Sequence, residues 1–264
     1  MELRDRVVVV TGAGSGIGAA LARRFHRAGA RLVAVADIDV ESARGVTEGI
    51  GGLAFGLDVA DGNAVAAMVE EITAEHGPID LFCANAGIAV SGGVEAGDEA
   101  WQRIWEVNVM SQVYAARAVL PQMIARGEGY LLLTASAAGL LTQLDAAPYS
   151  VTKHASVALA EWLAITHAED GIRVSCLCPQ FVNTPMAEAA SITPGSAAWV
   201  QSVLIEPEEV AEVVLAGIAA EKFLILPHPE VADYFQNKAG DYERWLGGMR
   251  KLRSSMGIGG ELPS

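Results

Sequence analysis

Short apolar runs alternate with longer helical segments along this chain of 264 residues, and the alternation limits the fold classes open to it. Seven runs have the length and apolar content of β-strands, whereas the segments between them carry apolar residues at helical spacing. The strand-like runs are residues 6–11, 31–36, 53–59, 80–84, 130–135, 173–178 and 223–226. The clearest helical segments are residues 17–28, 63–76, 99–126, 149–169 and 208–219.

The strand-like runs are apolar on both faces, which is typical of a parallel sheet covered by helices on either side. The sequence therefore predicts an α/β fold, a Rossmann-type doubly wound three-layer sandwich around a seven-stranded parallel sheet. The length suits one domain over residues 1–264, because no internal repeat or linker divides it. Residues 185–205 read either as a lid-like segment or as an ordinary surface loop, and residues 227–264 form a C-terminal extension that is helical in pattern to Arg253.

Net charge, cysteine content and the lengths of the apolar runs limit the partners and the cell compartment that suit this chain. A formal net charge of -14 argues against nucleic acid and anionic membrane surfaces, since both select clustered Lys and Arg. Three cysteines are too few for a disulfide framework, and no cluster of His and Cys completes a metal site, so we expect buried thiols and no metal. The first strand follows the N-terminus without a signal-peptide segment, and no apolar run reaches ~18 residues, which predicts a cytoplasmic protein.

A glycine-rich turn follows the first strand and opens the first helix. It reads Thr11-Gly12-Ala13-Gly14-Ser15-Gly16-Ile17-Gly18. Glycines allow a tight turn and let a pyrophosphate approach backbone N–H groups at the positive end of a helix. A glycine cluster alone is often a loop, but the strand before it and the helix after it match a dinucleotide-binding turn.

Asp37 stands at the end of the second strand, nineteen residues after Gly18. A carboxylate at this place can accept hydrogen bonds from an adenosine ribose and repel the 2′-phosphate of NADP. Neither Ser15 nor Ile38 supplies a positive charge that would offset this repulsion. The pattern favours NAD as the cofactor, and the alternative is an aspartate that caps the following helix.

Further polar residues close other strands. Asp58 and Val59 end the third strand, and Asn85-Ala86-Gly87 follows the fourth. Because the carboxyl ends of parallel strands share one edge, we expect Asp58 to hold the adenine amino group and the Asn85 turn to pass beneath the cofactor. Taken singly, each of these segments is also compatible with ordinary turn formation.

Tyr149 and Lys153 are four residues apart on a predicted helix and so lie on one face of it. A free tyrosine titrates near pH ~10, so action as a base near neutrality needs a shift of roughly three units, or ~4 kcal/mol. One positive charge ~4 Å away supplies about that much at an effective dielectric of ~20, before desolvation. We therefore expect Lys153 to lower the pKa of Tyr149, although such a pair also arises from a core tyrosine beside a solvated lysine.

Together these motifs resemble those of the classical short-chain dehydrogenases/reductases over about residues 7–226. The motifs are the glycine turn, Asp58, Asn85-Ala86-Gly87, Asn108, Ser136, Tyr149-x-x-x-Lys153 and the segment 179–184. The resemblance implies a single dinucleotide-binding catalytic domain in which Tyr149 moves the proton of the substrate oxygen and Ser136 hydrogen-bonds that oxygen. It also implies that Lys153 holds the nicotinamide ribose and that Asn108 positions a water linking Lys153 to solvent.

The resemblance places Pro179, Val182 and Thr184 against the cofactor. Two positions depart from the family pattern: Ala84 replaces a usual asparagine, and Gln180 replaces a usual glycine beside the nicotinamide. Gln180 and Gln143 are then candidate polar contacts of the substrate, along with Ser136 and Tyr149. Apolar residues expected near the pocket indicate an uncharged, hydrophobic substrate, or else packing of a lid or a subunit. These are Leu140, Leu141, Leu144, Met186 and Trp199.

The expected activity is an NAD-dependent alcohol dehydrogenase or ketone reductase acting on a hydrophobic secondary alcohol. One alternative is a regulatory NAD sensor without turnover. The chain keeps all four residues that the resemblance assigns to proton transfer, Asn108, Ser136, Tyr149 and Lys153, which disfavours this alternative. Another is a 3-oxoacyl-type reductase, which Asp37 disfavours because those enzymes usually take the phosphorylated cofactor. The resemblance also implies a homo-oligomer, a dimer or a tetramer, formed through the helices at 99–126 and 149–169.

Overall fold

Seven parallel strands organise the computed structural model, which describes residues 1–188 and 200–257. The strands are β1 Val7–Thr11, β2 Leu32–Asp37, β3 Leu53–Gly56, β4 Leu81–Ala84, β5 Gly129–Thr134, β6 Ile172–Leu177 and β7 Leu224–Ile225. Their order in the sheet is β3-β2-β1-β4-β5-β6-β7, and every neighbouring pair is parallel. The predicted seven-stranded parallel sheet is therefore confirmed.

Helices cover both faces of the sheet. They are α1 Gly16–Arg27, α2 Val40–Glu48, α3 Gly62–His76, α4 Asp98–Trp105, α5 Ser111–Arg126, α6 Ala138–Leu141, α7 Ala147–Thr166, α8 Pro185–Glu188, α9 Pro207–Ala219, α10 Glu230–Gly240 and α11 Tyr242–Ser255. Side chains of β1 alternate between two core layers: Val7 and Val9 pack with α3, α5 and α7, whereas Val8 and Val10 pack with α1, α2 and α9. This is the predicted doubly wound three-layer sandwich. The three cysteines are buried, as expected.

The helix predicted over residues 99–126 is not one regular α-helix. A π-helical turn, Glu106–Met110, joins α4 to α5 and contains Asn108. The Ser111 hydroxyl donates to the Val107 carbonyl at 2.5 Å within this turn. A π turn adds a residue to the helical circuit and is often found at functional sites. Spacing of apolar residues does not reveal such a local change in winding.

The third strand is shorter than predicted. It ends at Gly56, so Asp58 and Val59 lie in the following turn and not in the strand. The Asp58 carboxylate accepts a hydrogen bond from the Ala60 backbone N–H at 3.0 Å, which turns the chain away from the sheet edge. The side-chain hydrogen bond thus competes with continued strand pairing.

The sheet reverses its direction of growth between β1 and β4, and this places a crevice at their carboxyl ends. The glycine turn after β1 and the Asn85 turn after β4 therefore become neighbours. Residues 189–199, which hold Trp199 and the middle of the segment read as either a lid or a surface loop, lie outside the described residues. Within the described part of the chain, no helix combines the length and apolar character needed to cross a bilayer.

Candidate active site

A cavity of about 1380 Å³ occupies the crevice at the carboxyl edge of the sheet. All of the predicted catalytic, cofactor-binding and polar substrate-contacting residues line it except Asn108. The predicted residues that line it are Gly12, Ser15, Gly16, Ile17, Gly18, Asp37, Ile38, Asp58, Val59, Asn85, Ala86, Gly87, Ser136, Gln143, Tyr149, Lys153, Pro179, Gln180, Val182 and Thr184. The fold thus brings segments far apart in sequence to one surface.

The glycine turn is packed so closely that side chains would not fit. A Cβ atom on Gly12 would lie 2.6 Å from the Ala86 Cα, and a Cβ atom on Gly18 would lie 2.3 Å from the Gly12 carbonyl oxygen. Gly12 has a φ of 61° and Gly16 a φ of 52°, a region that side-chain-bearing residues rarely adopt. The turn leaves its backbone accessible to the cavity, as a dinucleotide-binding turn requires.

Asn85 holds three strand ends together at the crevice. Its side-chain nitrogen donates to the carbonyl oxygens of Thr11 and Gly12 at 3.1 and 3.2 Å. Its side-chain oxygen accepts from the Thr134 hydroxyl at 3.1 Å, and the Thr11 hydroxyl accepts from the backbone N–H groups of Asn85 and Ala86. Asn85 therefore fixes the shape of the cavity floor through protein contacts.

Asp37 is held by two backbone hydrogen bonds at the cavity edge. Its carboxylate accepts from the N–H of Gly14 at 2.9 Å and from the N–H of Asp39 at 3.0 Å. The cap of α2 is Asp39, whose carboxylate accepts from Glu41 and Ser42, so Asp37 is not the helix cap. These contacts fix a negative charge next to the glycine turn.

Asp58 pairs with Arg103, a residue that the sequence did not indicate. The guanidinium of Arg103, on α4, lies 2.8 Å from the Asp58 carboxylate, and both residues line the cavity. Because 45 residues separate the partners in the chain, no local pattern points to this pair. The Asp58 charge is partly neutralised at the site where the adenine was expected.

Ser136, Tyr149 and Lys153 meet where β5 and α7 face each other across the cavity. The Lys153 ammonium lies 5.5 Å from the centroid of the Tyr149 ring and donates to the Thr134 carbonyl at 3.1 Å. The Ser136 hydroxyl donates to the Pro179 carbonyl at 3.3 Å and accepts from the Ala138 N–H at 3.1 Å. These contacts orient a hydroxyl, a phenol and an ammonium around one region of the cavity.

Burial controls the protonation of this group. Desolvation raises the pKa of the Tyr149 phenol above its ordinary value, and the hydrogen bond with Ser136 acts in the opposite direction with smaller effect. Burial likewise lowers the pKa of Lys153 to about 8. The expectation that Lys153 lowers the pKa of Tyr149 stays a prediction, because the effects that act on the phenol here are burial, the Ser136 hydrogen bond and the nearby Cys178.

Asn108 lies behind the cavity wall and is fully buried. Its side-chain oxygen accepts from the Ile88 N–H at 2.8 Å, and its side-chain nitrogen donates to the Ile88 carbonyl at 3.0 Å and to the Thr152 hydroxyl at 3.2 Å. Its backbone carbonyl accepts from the Ser156 hydroxyl at 3.1 Å. Asn108 thus joins the loop after β4 to α7, the helix that carries Tyr149 and Lys153.

Gln180 and Gln143 lie on loops held by specific contacts. The Gln180 N–H donates to Nδ1 of the buried His228 at 3.1 Å, and Nε2 of His228 donates to the Val203 carbonyl at 2.8 Å. The Gln180 side-chain oxygen is buried and has no hydrogen-bond partner among the described residues. The Ser150 hydroxyl both accepts from the Gln143 N–H and donates to its carbonyl.

The apolar wall of the cavity differs from the sequence-based expectation. Leu141, Leu144 and Met186 line the cavity, whereas Leu140 packs in the core and Trp199 lies outside the described residues. The C-terminal helix α11 adds apolar lining residues that sequence reasoning missed. Their spacing of four, three and four residues was the signal that could have revealed them. They are Trp245, Met249 and Leu252 of α11 and Met256 directly after it.

Comparison with known proteins agrees with this geometry. The sequence model of the short chain dehydrogenase family matches residues 6–194. The chain is 32% identical over 253 residues to a 1-deoxy-11-beta-hydroxypentalenate dehydrogenase of Streptomyces exfoliatus, covering 92% of this chain and 90% of the relative. It is 36% identical over 237 residues to a meso-2,3-butanediol dehydrogenase of Serratia marcescens, covering 84% and 90%.

A solved structure is similar over almost the same range. It is a short-chain dehydrogenase/reductase from Burkholderia phymatum in complex with NAD, with a TM-score of 0.82 and 28% identity. The alignment covers 92% of this chain and 96% of that one. The family match, the relatives and the shared fold lead to one assignment: the chain belongs to the short-chain dehydrogenase family of oxidoreductases.

Proposed function

We propose that this protein is an NAD-dependent oxidoreductase that interconverts a hydrophobic secondary alcohol and its ketone. The observation that carries the proposal is the grouping of Ser136, Tyr149 and Lys153 in one cavity with a glycine turn too closely packed to hold side chains. A cavity that joins a dinucleotide-binding turn to a proton-donating group suits hydride transfer. Family membership and the dehydrogenase names of the relatives support the same reaction class.

The residues present fit a nicotinamide dinucleotide. The open backbone of the glycine turn suits a pyrophosphate, and Asp37 suits an unphosphorylated ribose. When bound, the dinucleotide supplies the group that accepts or donates the hydride. The residues proposed to hold it are Gly12, Ser15, Gly16, Ile17, Gly18, Asp37, Ile38, Asp58, Val59, Asn85, Ala86, Gly87, Tyr149, Lys153, Pro179, Val182 and Thr184.

Tyr149 handles the proton of the substrate oxygen. The raised pKa of its phenol keeps the proton bound near neutrality, so the phenol can donate it to a carbonyl oxygen of the substrate. In the reverse direction the phenolate takes the hydroxyl proton of the alcohol. Ser136 donates a hydrogen bond to the same oxygen and stabilises the negative charge that develops there.

Lys153 and Asn108 support Tyr149 in different ways. The ammonium of Lys153 stabilises the phenolate after proton donation, because it lies 5.5 Å from the ring centroid in a buried setting. Asn108 holds α7 against the loop after β4, and we propose that this region also carries the water that returns a proton to Lys153. A Cβ atom on Gly87 would lie 3.2 Å from the Asn108 oxygen and 3.4 Å from the Lys153 ammonium, so the two groups are close neighbours.

The cavity wall supports a substrate with an apolar body. Leu141, Leu144 and Met186 face the cavity, and Gln143 and Gln180 supply polar groups for orientation. Two relatives are named for substrates that bear hydroxyl groups, a hydroxypentalenate and a butanediol. A secondary alcohol with an apolar skeleton is the substrate class that fits both observations.

The test is replacement of Tyr149 by Phe, with oxidation of a panel of secondary alcohols followed as NADH formation. We expect loss of turnover by roughly a hundredfold to ten-thousandfold, because general acid–base catalysis typically contributes ~10²–10⁴-fold. Calorimetric NAD affinity should stay within a few-fold of the wild type. Retained turnover would remove the proton-transfer role from Tyr149, and absence of NADH formation by the wild type across the panel would favour an NAD sensor.

A further inference from the structure

Three cationic side chains line the cavity among the described residues, and two of them are already paired. Arg103 forms an ion pair with Asp58 at 2.8 Å, and Lys153 donates to the Thr134 carbonyl at 3.1 Å. The third is Arg244, on the C-terminal helix α11. Arg244 lines the cavity and is also exposed to solvent, and within residues 1–188 and 200–257 its guanidinium has no ion pair.

The stability of α11 does not explain Arg244. It lies in the first turn of the helix, where its backbone N–H donates to the capping carboxylate of Asp241 at 3.0 Å. The first turn carries a partial positive charge, so a cation there destabilises a helix. The other cations of α11, Arg250, Lys251 and Arg253, lie nearer its C-terminus, where the helix dipole favours them.

The charge of the helix that carries Arg244 is opposite in sign to the net charge of the whole protein. With a net charge of -14 the surface repels anions in general, whereas α11 carries four cations and one acidic residue, Glu243. This excess of cations on α11 favours an anionic substrate at that side of the cavity. Asp145 and Asp241 also line the cavity.

An apolar surface follows Arg244 along the same helix. Trp245, Met249 and Leu252 of α11 and Met256 directly after it line the cavity, and they suit an apolar skeleton, not a second charged group. The cavity therefore combines a proton-transfer group, an apolar wall and one unpaired guanidinium. A planar guanidinium binds a carboxylate through two parallel hydrogen bonds, which gives orientation as well as attraction.

We propose that the substrate is a hydroxy acid, whose alcohol carbon lies at Tyr149 and whose carboxylate is bound by Arg244. This inference rests on the proposed alcohol dehydrogenase function and adds the substrate class. It replaces the sequence-based expectation of an uncharged substrate. Arg244 acts as a specificity-determining residue and takes no part in proton or hydride transfer.

The experiment compares 4-hydroxycyclohexanecarboxylate with its methyl ester, which has the same skeleton but no charge. For Arg244→Gln we expect kcat/KM on the acid to fall roughly tenfold to a hundredfold, mainly through KM, because a charge-assisted hydrogen bond is lost. The ester should change by less than about twofold. Arg250→Gln is the matched control, since Arg250 lies on the same helix but bonds the Leu246 carbonyl, and it should leave both substrates unchanged. Arg244→Lys should restore part of the activity on the acid.

A second measurement decides the question without turnover. Binding of cyclohexanecarboxylate and of cyclohexanecarboxamide to the NAD-saturated protein is followed by calorimetry, in wild type and Arg244→Gln. Tighter binding of the carboxylate that disappears in the variant supports the proposal even if no alcohol on the panel is oxidised. Equal binding of the two probes, or equal losses on acid and ester, overturns the carboxylate role and leaves the alcohol dehydrogenase function standing.

Discussion

Lys153 shows how burial sets the chemistry of a single residue. Its side chain is 3% exposed, and burial lowers its pKa to about 8. The ammonium is thus mostly charged at neutral pH but loses its proton far more easily than a surface lysine. Such a group can both stabilise a phenolate and exchange protons with its surroundings.

The depressed pKa of Lys153 predicts a pH-dependent stability. Below pH 8 the side chain is protonated in both the folded and the unfolded state. Between pH 8 and the ordinary value of 10.5, only the folded state releases the proton, so the free energy of unfolding rises with pH. Between pH 8 and pH 10 we expect a rise of about 2 kcal/mol that Lys153→Met lacks. Urea unfolding of both proteins at each pH measures it, and parallel curves would contradict the shift.

Asp37 predicts the choice between the two nicotinamide cofactors. Asp37→Ala removes the charge that would repel a 2′-phosphate and an acceptor for the ribose. We expect the ratio of kcat/KM for NAD over NADP to fall roughly tenfold or more, since interactions of this kind contribute ~1–3 kcal/mol. The control is Asp39→Ala, which removes the cap of α2 and should lower stability while leaving the ratio unchanged. An unchanged ratio in the Asp37 variant would end its assigned role.

Among the elements, the C-terminal helices are attached to α6 and α7 by a buried lysine. The Lys238 ammonium of α10 donates to the Leu140 carbonyl of α6 at 2.6 Å and lies 3.5 Å from Nε2 of His154 on α7. It also lies 5.6 Å from the centroid of the Tyr242 ring at the start of α11. One side chain therefore connects four helices around the cavity.

Removal of this connection should loosen the C-terminal wall. Lys238→Met leaves the Leu140 carbonyl without its donor, so we expect the free energy of unfolding to fall by ~1–3 kcal/mol. Hydrogen exchange should increase in α10 and α11 more than in the sheet. Lys251→Met, on the exposed face of α11, is the control and should change stability by less than ~0.5 kcal/mol. Similar effects of both variants would show that Lys238 does not attach the helices.

For the whole molecule, exposed apolar residues on two long helical segments support association of subunits. Trp162 is 57% exposed and Ile165 80% exposed on α7, and Trp105 is 39% exposed on α4. We propose that the single catalytic domain forms a homo-oligomer through these helices, as a dimer or a tetramer. Burial of such side chains against a second copy removes apolar surface from water.

Light scattering tests this arrangement. We expect a mass above the 27.6 kDa of one chain, and we expect Trp162→Glu with Ile165→Glu to shift the protein toward the monomer, because a buried unpaired carboxylate opposes association. Val94→Glu, at a loop residue that is 90% exposed, should leave the mass unchanged. A monomeric wild type at micromolar concentration would refute the proposal.

Much of the fold and the main polar and glycine residues of the cavity could be predicted from the sequence, because both depend on local patterns. Strand–turn–helix units specify a parallel sheet, and the carboxyl ends of its strands must meet at one edge. Gly12, Asp37 and Tyr149 therefore line the same cavity although they are far apart in the chain. Their chemical types and their places after strands or on a helix were sufficient to select them.

The tertiary structure alone decided the features that depend on distant partners and on burial. The Arg103–Asp58 pair, the placement of Leu140 in the core and the approach of α11 to the cavity join segments that no short-range pattern relates. The pKa of Tyr149 also depends on the tertiary structure. Sequence spacing gave the distance to a charge, but desolvation depends on everything packed around the phenol. The sequence thus determined which residues share the cavity, and the packing decided their charge states and the C-terminal wall that faces them.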